Sequence, residues 1–117
     1  MALRLTPAIL EAGYEFLRAT PPFRGWRLPH ADDVEFAVGA RSDCFGWYER
    51  PNGQHRIGIT LKFCGHTDTL LFYLAHEMVH LAQAIDGTAT DGQHNADFGA
   101  KARRVCRAHG FDLKRFI

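Results

Sequence analysis

The sequence predicts an α+β fold in which one helix precedes a three-stranded antiparallel meander and two further helices follow it. Three observations lead to this order. Apolar residues recur at helical spacing near both ends of the chain, they alternate with polar residues in the middle, and turn-forming residues separate the segments. At 117 residues, 46% of them hydrophobic, the chain can bury one modest core, so we expect a single domain over residues 1–117.

The first helix is predicted to begin at Thr6 and Pro7, because a threonine hydroxyl caps a helix N-terminus and proline is favoured at the first helical position. The Pro21-Pro22 pair should end it, since proline cannot continue a helix. The apolar face is expected to consist of Ile9, Leu10, Gly13, Phe16 and Leu17.

The strands are predicted from alternation and from one turn. Val34, Phe36 and Val38 alternate with less apolar neighbours, which is typical of a half-buried strand. The segments CFGWYER and HRIGITLKF flank Pro51-Asn52-Gly53-Gln54, which predicts a hairpin because glycine adopts the positive φ that tight turns require. One face of the last strand should lie on a helix, and it comprises Ile57, Ile59, Leu61 and Phe63.

The stretch YLAHEMVHLAQ lies in a helix predicted from an N-cap at about Asp68 to a stop at Gly87. At about 100° per residue, His80 lies about 40° around the helix from His76 and roughly 6 Å along it, so both rings can reach one metal ion. Glu77 borders the same face, where a carboxylate can take a proton from metal-activated water. The core stripe of this helix, from which the histidines should face away, comprises Leu71, Leu74, Met78, Leu81 and Ile85.

Two residues compete as the third metal ligand. Asp86 occupies a ligand position of the long metzincin signature, but that arrangement needs a helix break at a glycine, and this chain has Gln83 there. His94 follows a glycine-containing loop and precedes a helix that Asn95 should cap and Gly110 should end. We favour His94, because that helix can pack back against the one that carries His76 and His80 and bring the third ring to them. The buried side of the last helix should be Phe98, Ala102, Val105 and Cys106.

Composition excludes several classes of protein. Fourteen basic side chains face 13 acidic ones, and the net charge of +1 gives no general attraction to nucleic acid or to an anionic membrane. Cys44, Cys64 and Cys106 are odd in number and widely spaced, which argues against a disulfide framework and against a cysteine-rich zinc site. Without a signal peptide or a long apolar run, we expect a cytoplasmic, monomeric protein that has no membrane association.

The motifs together resemble those of the SprT-like (Spartan-type) zinc metalloprotease family. The likeness rests on HEMVH, then GQHNADF opening a helix, and upstream on FRGWRLPHADDVEFAVG and HRIGITLKF, and it spans roughly Phe23 to Asp112. The resemblance implies a minimal zincin-like fold, Zn²⁺ bound by His76, His80 and His94, and Glu77 as general acid/base. Asn95 stands where the family usually has glycine, and we expect no C-terminal zinc ribbon.

The predicted activity is therefore that of a zinc metalloendopeptidase acting on protein or peptide substrates, with the substrate extended along an edge of the meander. Four side chains are candidates to stabilise the oxyanion, and the sequence does not favour one over another: Tyr48, Tyr73, His55 and His66. An alternative is a noncatalytic zinc-binding or DNA interaction module. Because some family members cleave proteins crosslinked to DNA, a DNA-guided protease is also considered, although we expect weak DNA binding by this chain alone. The basic residues available for it are Lys101, Arg103, Arg104, Arg107, Lys114 and Arg115.

Overall fold

A computed structural model of the protein describes residues 4–40, 45–60, 66–90 and 94–117. Its α+β class agrees with the prediction. The helices are α1 (Pro7–Arg18), α2 (Thr67–Asp86), α3 (Ala96–His109) and α4 (Leu113–Phe116). The strands are β1 (Val34–Gly39), β2 (Gly46–Glu49) and β3 (His55–Thr60). The predictions for Cys44, Cys64, Leu61 and Phe63 fall outside the described residues.

Helix α1 begins as predicted, since the Thr6 hydroxyl accepts a hydrogen bond from the Ile9 N–H at 3.2 Å and Pro7 is the first helical residue. Its buried face differs from the expected one: Leu10, Tyr14 and Leu17 are buried, whereas Phe16 is 55% exposed. Tyr14 explains the difference, because its ring packs edge-on against Phe36 and its hydroxyl donates to the Pro29 carbonyl at 2.6 Å. Residues 14 and 16 point about 200° apart, so burying Tyr14 turns Phe16 outward.

The sheet is mixed, and the predicted antiparallel meander is wrong. The strand order is β1-β3-β2, with β1 parallel to β3 and β2 antiparallel to it. The hairpin itself is confirmed: Glu49 pairs with Arg56 across a turn in which Asn52 and Gly53 have positive φ. Burial gives a physical reason for the order, because β3 is buried from Ile57 to Thr60 and a central position covers both of its edges.

The sheet face opposite the helices is covered by Trp47, which packs across Gly58. A Cβ built on Gly58 would lie 2.1 Å from the Trp47 ring, so the indole occupies the space that any side chain would need. Beside it, Arg56 pairs with Glu49 at 2.9 Å and with Glu35 at 3.2 Å, which links all three strands. Gly58 therefore fixes how β2 lies on β3.

Gly58→Ala should lower the free energy of unfolding by about 1–3 kcal/mol, because the added methyl must displace the Trp47 ring. Gly25→Ala is the matched control, since a Cβ there meets no atom within 4 Å and the backbone does not have positive φ. It should change stability by no more than about 0.5 kcal/mol. Urea denaturation of both variants measures the difference, and equal stabilities would show that the indole adapts without cost.

Helix α2 occupies the centre of the molecule. It ends at Gly87 in the left-handed conformation, as predicted, but its N-cap is His66, with Asp68 in the first turn. The expected stripe is fully buried at Leu74, Met78 and Leu81, while Ile85 is 39% exposed because it lies in the last turn, beyond the packed neighbours. Other buried positions lie around the rest of the helix, among them Leu70, Ala75, Glu77, Val79 and Gln83. Helix α2 is thus enclosed by α1, the sheet and α3.

Helices α3 and α4 close the side of α2 that carries the histidines. The predicted cap is confirmed, because the Asn95 side chain accepts a hydrogen bond from the Phe98 N–H at 2.9 Å. The predicted buried side, Phe98, Ala102, Val105 and Cys106, is confirmed as well. Helix α4 was not predicted; its one turn buries Phe116 against Phe72. In the described part of the chain no helix is long and apolar enough to cross a membrane.

Candidate metal centre

Three histidine side chains converge where α2 meets the start of α3. His76 and His80 lie one turn apart on α2, and His94 directly precedes the cap of α3. One ring nitrogen from each can be chosen so that all three lie within 4.8 Å of one another. The ring centroids are separated by 5.0 to 5.1 Å. The three histidines therefore lie close enough to bind one metal ion.

The protonation of these rings suits metal binding. Burial lowers the pKa of His76 to about 4, and the nearby His94 lowers it further while a hydrogen bond to the Phe116 carbonyl opposes the shift. Burial, together with the neighbouring His76 and His94, lowers the pKa of His80 to about 4. Burial also lowers the pKa of His94. At neutral pH the rings are uncharged, and the neutral imidazole is the form that ligates a metal.

Groups behind the histidines fix their orientation. Nδ1 of His76 donates a hydrogen bond to the Phe116 carbonyl of α4 at 2.5 Å, which leaves Nε2 for a metal ion. The Phe98 ring packs under the cluster, stacked on His94 with centroids 4.1 Å apart and tilted against His80 at 4.7 Å. The histidine face was expected to point away from the core, but α3 and α4 cover much of it.

A polar network holds the segment that carries His94. The buried Gln83 donates to the Asn95 side chain at 2.8 Å and to Asp97 at 3.0 Å. Asn95 in turn donates to the Thr88 carbonyl at 2.9 Å, and the Thr88 hydroxyl donates to Asp97 at 2.7 Å. Asn95 has φ of −76°, which any residue adopts, so the glycine expected at this position is not needed.

Asp86, the competing third ligand, lies elsewhere. Helix α2 continues unbroken through it, and its carboxylate pairs with Lys101 at 3.1 Å. Among the described residues, the structure therefore brings His94 to the two α2 histidines, and Asp86 serves as an ion-pair partner at the end of α2.

Glu77 lies between the histidine pair and the sheet. It is 5% exposed, and burial raises the pKa of its carboxyl to about 8. A Cβ built on Gly46 would lie 3.3 Å from Glu77 Oε2, so the carboxylate sits against the first residue of β2. A cavity of about 330 Å³ opens here, and its described lining comprises Phe45, Gly46, Phe72, Tyr73, His76, Glu77, His94, Arg115, Phe116 and Ile117. We call it the histidine cavity.

Of the four candidate oxyanion stabilisers, only Tyr73 lines the histidine cavity. Its ring stacks on Phe45 with centroids 4.5 Å apart. The Tyr48 hydroxyl instead lies 2.6 Å from His55 Nδ1, and neither residue is part of the described lining. His66 is the exposed N-cap of α2.

Sequence reasoning missed the contribution of α4 to the histidine cavity. Arg115, Phe116 and Ile117 all line it. One helical turn is too short to show an apolar period, so no pattern in the sequence could have placed these residues there. The basic residues considered for DNA binding do not form one surface. Lys101 pairs with Asp86 and Asp97 within 3.1 Å, whereas Arg115 lines the histidine cavity.

Comparison with models of known protein families finds no match, and comparison with curated proteins finds none either. The resemblance to SprT-like proteases thus stays a prediction from the motifs.

His94→Ala should weaken zinc binding by more than about 100-fold, because it removes a proposed direct ligand. Losing a residue that only hydrogen-bonds to a ligand typically costs about 10- to 100-fold. Asp86→Ala is the control, and zinc affinity should stay within about threefold because that carboxylate pairs with Lys101. Competition titration with a chelating dye gives both affinities, and circular dichroism checks the fold. An equal or larger loss for Asp86→Ala would mean that the third ligand is Asp86.

Proposed function

We propose that this protein is a zinc-dependent metallopeptidase of the SprT-like type, with a minimal zincin-like fold. One observation carries the proposal: three neutral imidazoles converge, and two of them, His76 and His94, line one cavity with the buried Glu77 beside an edge strand. The motif spacing, the donor set and the surroundings of Glu77 together support zinc binding and peptide hydrolysis.

The donor set fits zinc. Zinc commonly takes three protein ligands with Zn–N distances of about 2.0–2.1 Å and leaves a fourth position open in catalytic sites. Tetrahedral ligands at that distance are about 3.4 Å apart, so nitrogens within 4.8 Å of one another need only small side-chain movements. The Phe98 ring covers one side of the cluster, and the histidine cavity leaves another side open to a substrate.

When bound, zinc would polarise the scissile carbonyl and increase the acidity of the attacking water. Glu77 accepts a proton from that water and later donates it to the leaving amine. Burial raises the pKa of this carboxyl to about 8, and a zinc ion beside it would lower that pKa and favour the ionised form that accepts the proton. Tyr73 is the one oxyanion candidate in the histidine cavity. Its hydroxyl can donate a hydrogen bond to the oxygen on which negative charge develops.

The substrate path follows from the position of β2. This strand lies at the edge of the described sheet, and Phe45 and Gly46 at its start line the histidine cavity. An extended peptide that adds to this edge would bring its backbone to Glu77 and the histidines. Protein or peptide substrates are therefore favoured over small molecules.

The burial of Glu77 favours catalysis over a purely structural zinc site. Within the described part of the chain its carboxylate has no hydrogen-bond partner and lines the histidine cavity, so it is available to a ligand there. A structural site gains nothing from a carboxylate at this position. DNA stays a secondary proposal, with weak binding expected, because Lys101 is neutralised by two carboxylates and the net charge is only +1.

Glu77→Gln should leave the fold and the zinc content intact and reduce peptide cleavage by about 10²- to 10⁴-fold, because glutamine keeps the size of glutamate but cannot accept a proton. The assay compares zinc-loaded wild type and variant on unfolded casein, with and without added DNA, and follows self-cleavage by mass spectrometry.

Thr69→Ala serves as a control for this assay, because Thr69 lies on α2 but outside the histidine cavity. It should keep activity within about threefold of wild type, because the change lies outside the histidine cavity. Equal cleavage by wild type and Glu77→Gln would refute the assigned base. Zinc binding without any cleavage by the wild type would instead favour the noncatalytic zinc module.

A further inference from the structure

Arg115 lies where two cavities meet. It lines the histidine cavity and also a neighbouring cavity of about 400 Å³ whose described lining includes Asp68, Phe111 and Asp112. Its guanidinium carbon lies 5.4 Å from the centroid of the Phe72 ring, which is itself buried. Arg115 therefore stands on the wall that separates the two cavities.

The main-chain position of Arg115 is tied to the metal centre. The next residue, Phe116, is 1% exposed, and its carbonyl accepts the hydrogen bond from His76 Nδ1. The Phe116 ring also packs on Phe72 at 5.5 Å between centroids. Because Arg115 directly precedes the residue whose carbonyl contacts a proposed ligand, its guanidinium stays within a limited distance of the histidines.

The charge of Arg115 has no carboxylate partner among the residues that the structure describes. Among the described cations only Arg18, Arg56 and Lys101 have carboxylate partners, and the others, like Arg115, have none. Asp68 and Asp112 line the neighbouring cavity, yet neither forms a salt bridge with Arg115 within 4.0 Å. Within the described lining of the histidine cavity, Arg115 is the only arginine or lysine.

We propose that Arg115 determines specificity by binding a carboxylate of the substrate beside the scissile bond. This inference rests on the proposed peptidase function and names its substrate class: peptides with an acidic group at the Arg115 side of the histidine cavity. That group is either an Asp or Glu side chain or the carboxylate at the end of the substrate chain. The planar guanidinium matches either one through paired hydrogen bonds, and its carbon lies within cation–π range of the Phe72 ring, 5.4 Å from the centroid.

Binding is measured first with zinc-loaded Glu77→Gln protein, so that substrates stay intact. Three fluorescent peptides of equal length are taken from the sequence around a cleavage site mapped in casein. The first has glutamate at each tested flanking position and an amidated C-terminus. The second has glutamine at those positions and an amidated C-terminus, and the third has glutamine and a free C-terminal carboxylate. Without a mapped site, scrambled peptides of casein composition take their place. Fluorescence anisotropy gives each affinity.

One of the two carboxylate peptides should bind about 10- to 100-fold more tightly than the amidated glutamine peptide, the range of a hydrogen bond to a charged group. Preference for the glutamate peptide identifies an endopeptidase subsite, and preference for the free terminus identifies a carboxypeptidase subsite. Adding Arg115→Gln should reduce either ratio to within about twofold. Adding Lys114→Ala should keep it, because the adjacent Lys114 is exposed and lines neither cavity.

Equal affinities for all three peptides, no binding by any of them up to millimolar concentration, or a preference that survives Arg115→Gln would each overturn the assignment. Cleavage by the wild type is scored separately. A carboxylate preference that depends on Arg115, in a protein that cuts nothing, supports this inference and contradicts the peptidase proposal. Cleavage by a protein that shows no such preference supports the peptidase proposal and contradicts the role of Arg115.

Discussion

Helix α2 is packed against α1, the sheet and α3; within its motif Glu77 is buried, and His76 and His80 are partly buried. A helix in this position holds the two histidines and the glutamate largely away from water. Desolvation therefore lowers the pKa of His76 and raises that of Glu77. The rest of the site follows from this constraint, since neutral imidazoles favour a metal ion and a buried carboxylate is suited to proton transfer.

The surrounding elements then act as supports for the buried polar groups. Helix α4 accepts the hydrogen bond from His76, and the network centred on Gln83 and Asn95 keeps His94 at the start of α3. Strand β2 reaches Glu77 through Gly46, whose missing side chain allows the close approach. Helix α3, helix α4 and strand β2 thus each contribute either a contact to a histidine or a wall of the histidine cavity, so the site depends on elements far apart in the sequence.

Local signals in the sequence predicted α1, α2 and α3, because the caps at Thr6 and Asn95 and the stop at Gly87 act within a few residues. The same holds for His76 and His80, whose spacing alone places them on one helix face. Strand order could not be predicted, because the pairing of β1 with β3 depends on tertiary packing and leaves no local pattern. Phe16 was assigned to the wrong face because Tyr14 finds a partner in Pro29 far along the chain. Arg115 was considered only as a DNA contact, since nothing in its neighbourhood reveals the cavity that it lines.

The central claim is that the three histidines hold one zinc ion with an open fourth position. X-ray absorption spectroscopy on protein loaded with zinc, combined with elemental analysis, tests it most directly. The account predicts one zinc per chain, three imidazole ligands at about 2.0–2.1 Å and a fourth light-atom ligand from solvent. Failure to take up stoichiometric zinc would contradict it, as would a spectrum with sulfur ligands or with four imidazoles, because either result would remove the open position on which the proposed hydrolysis depends.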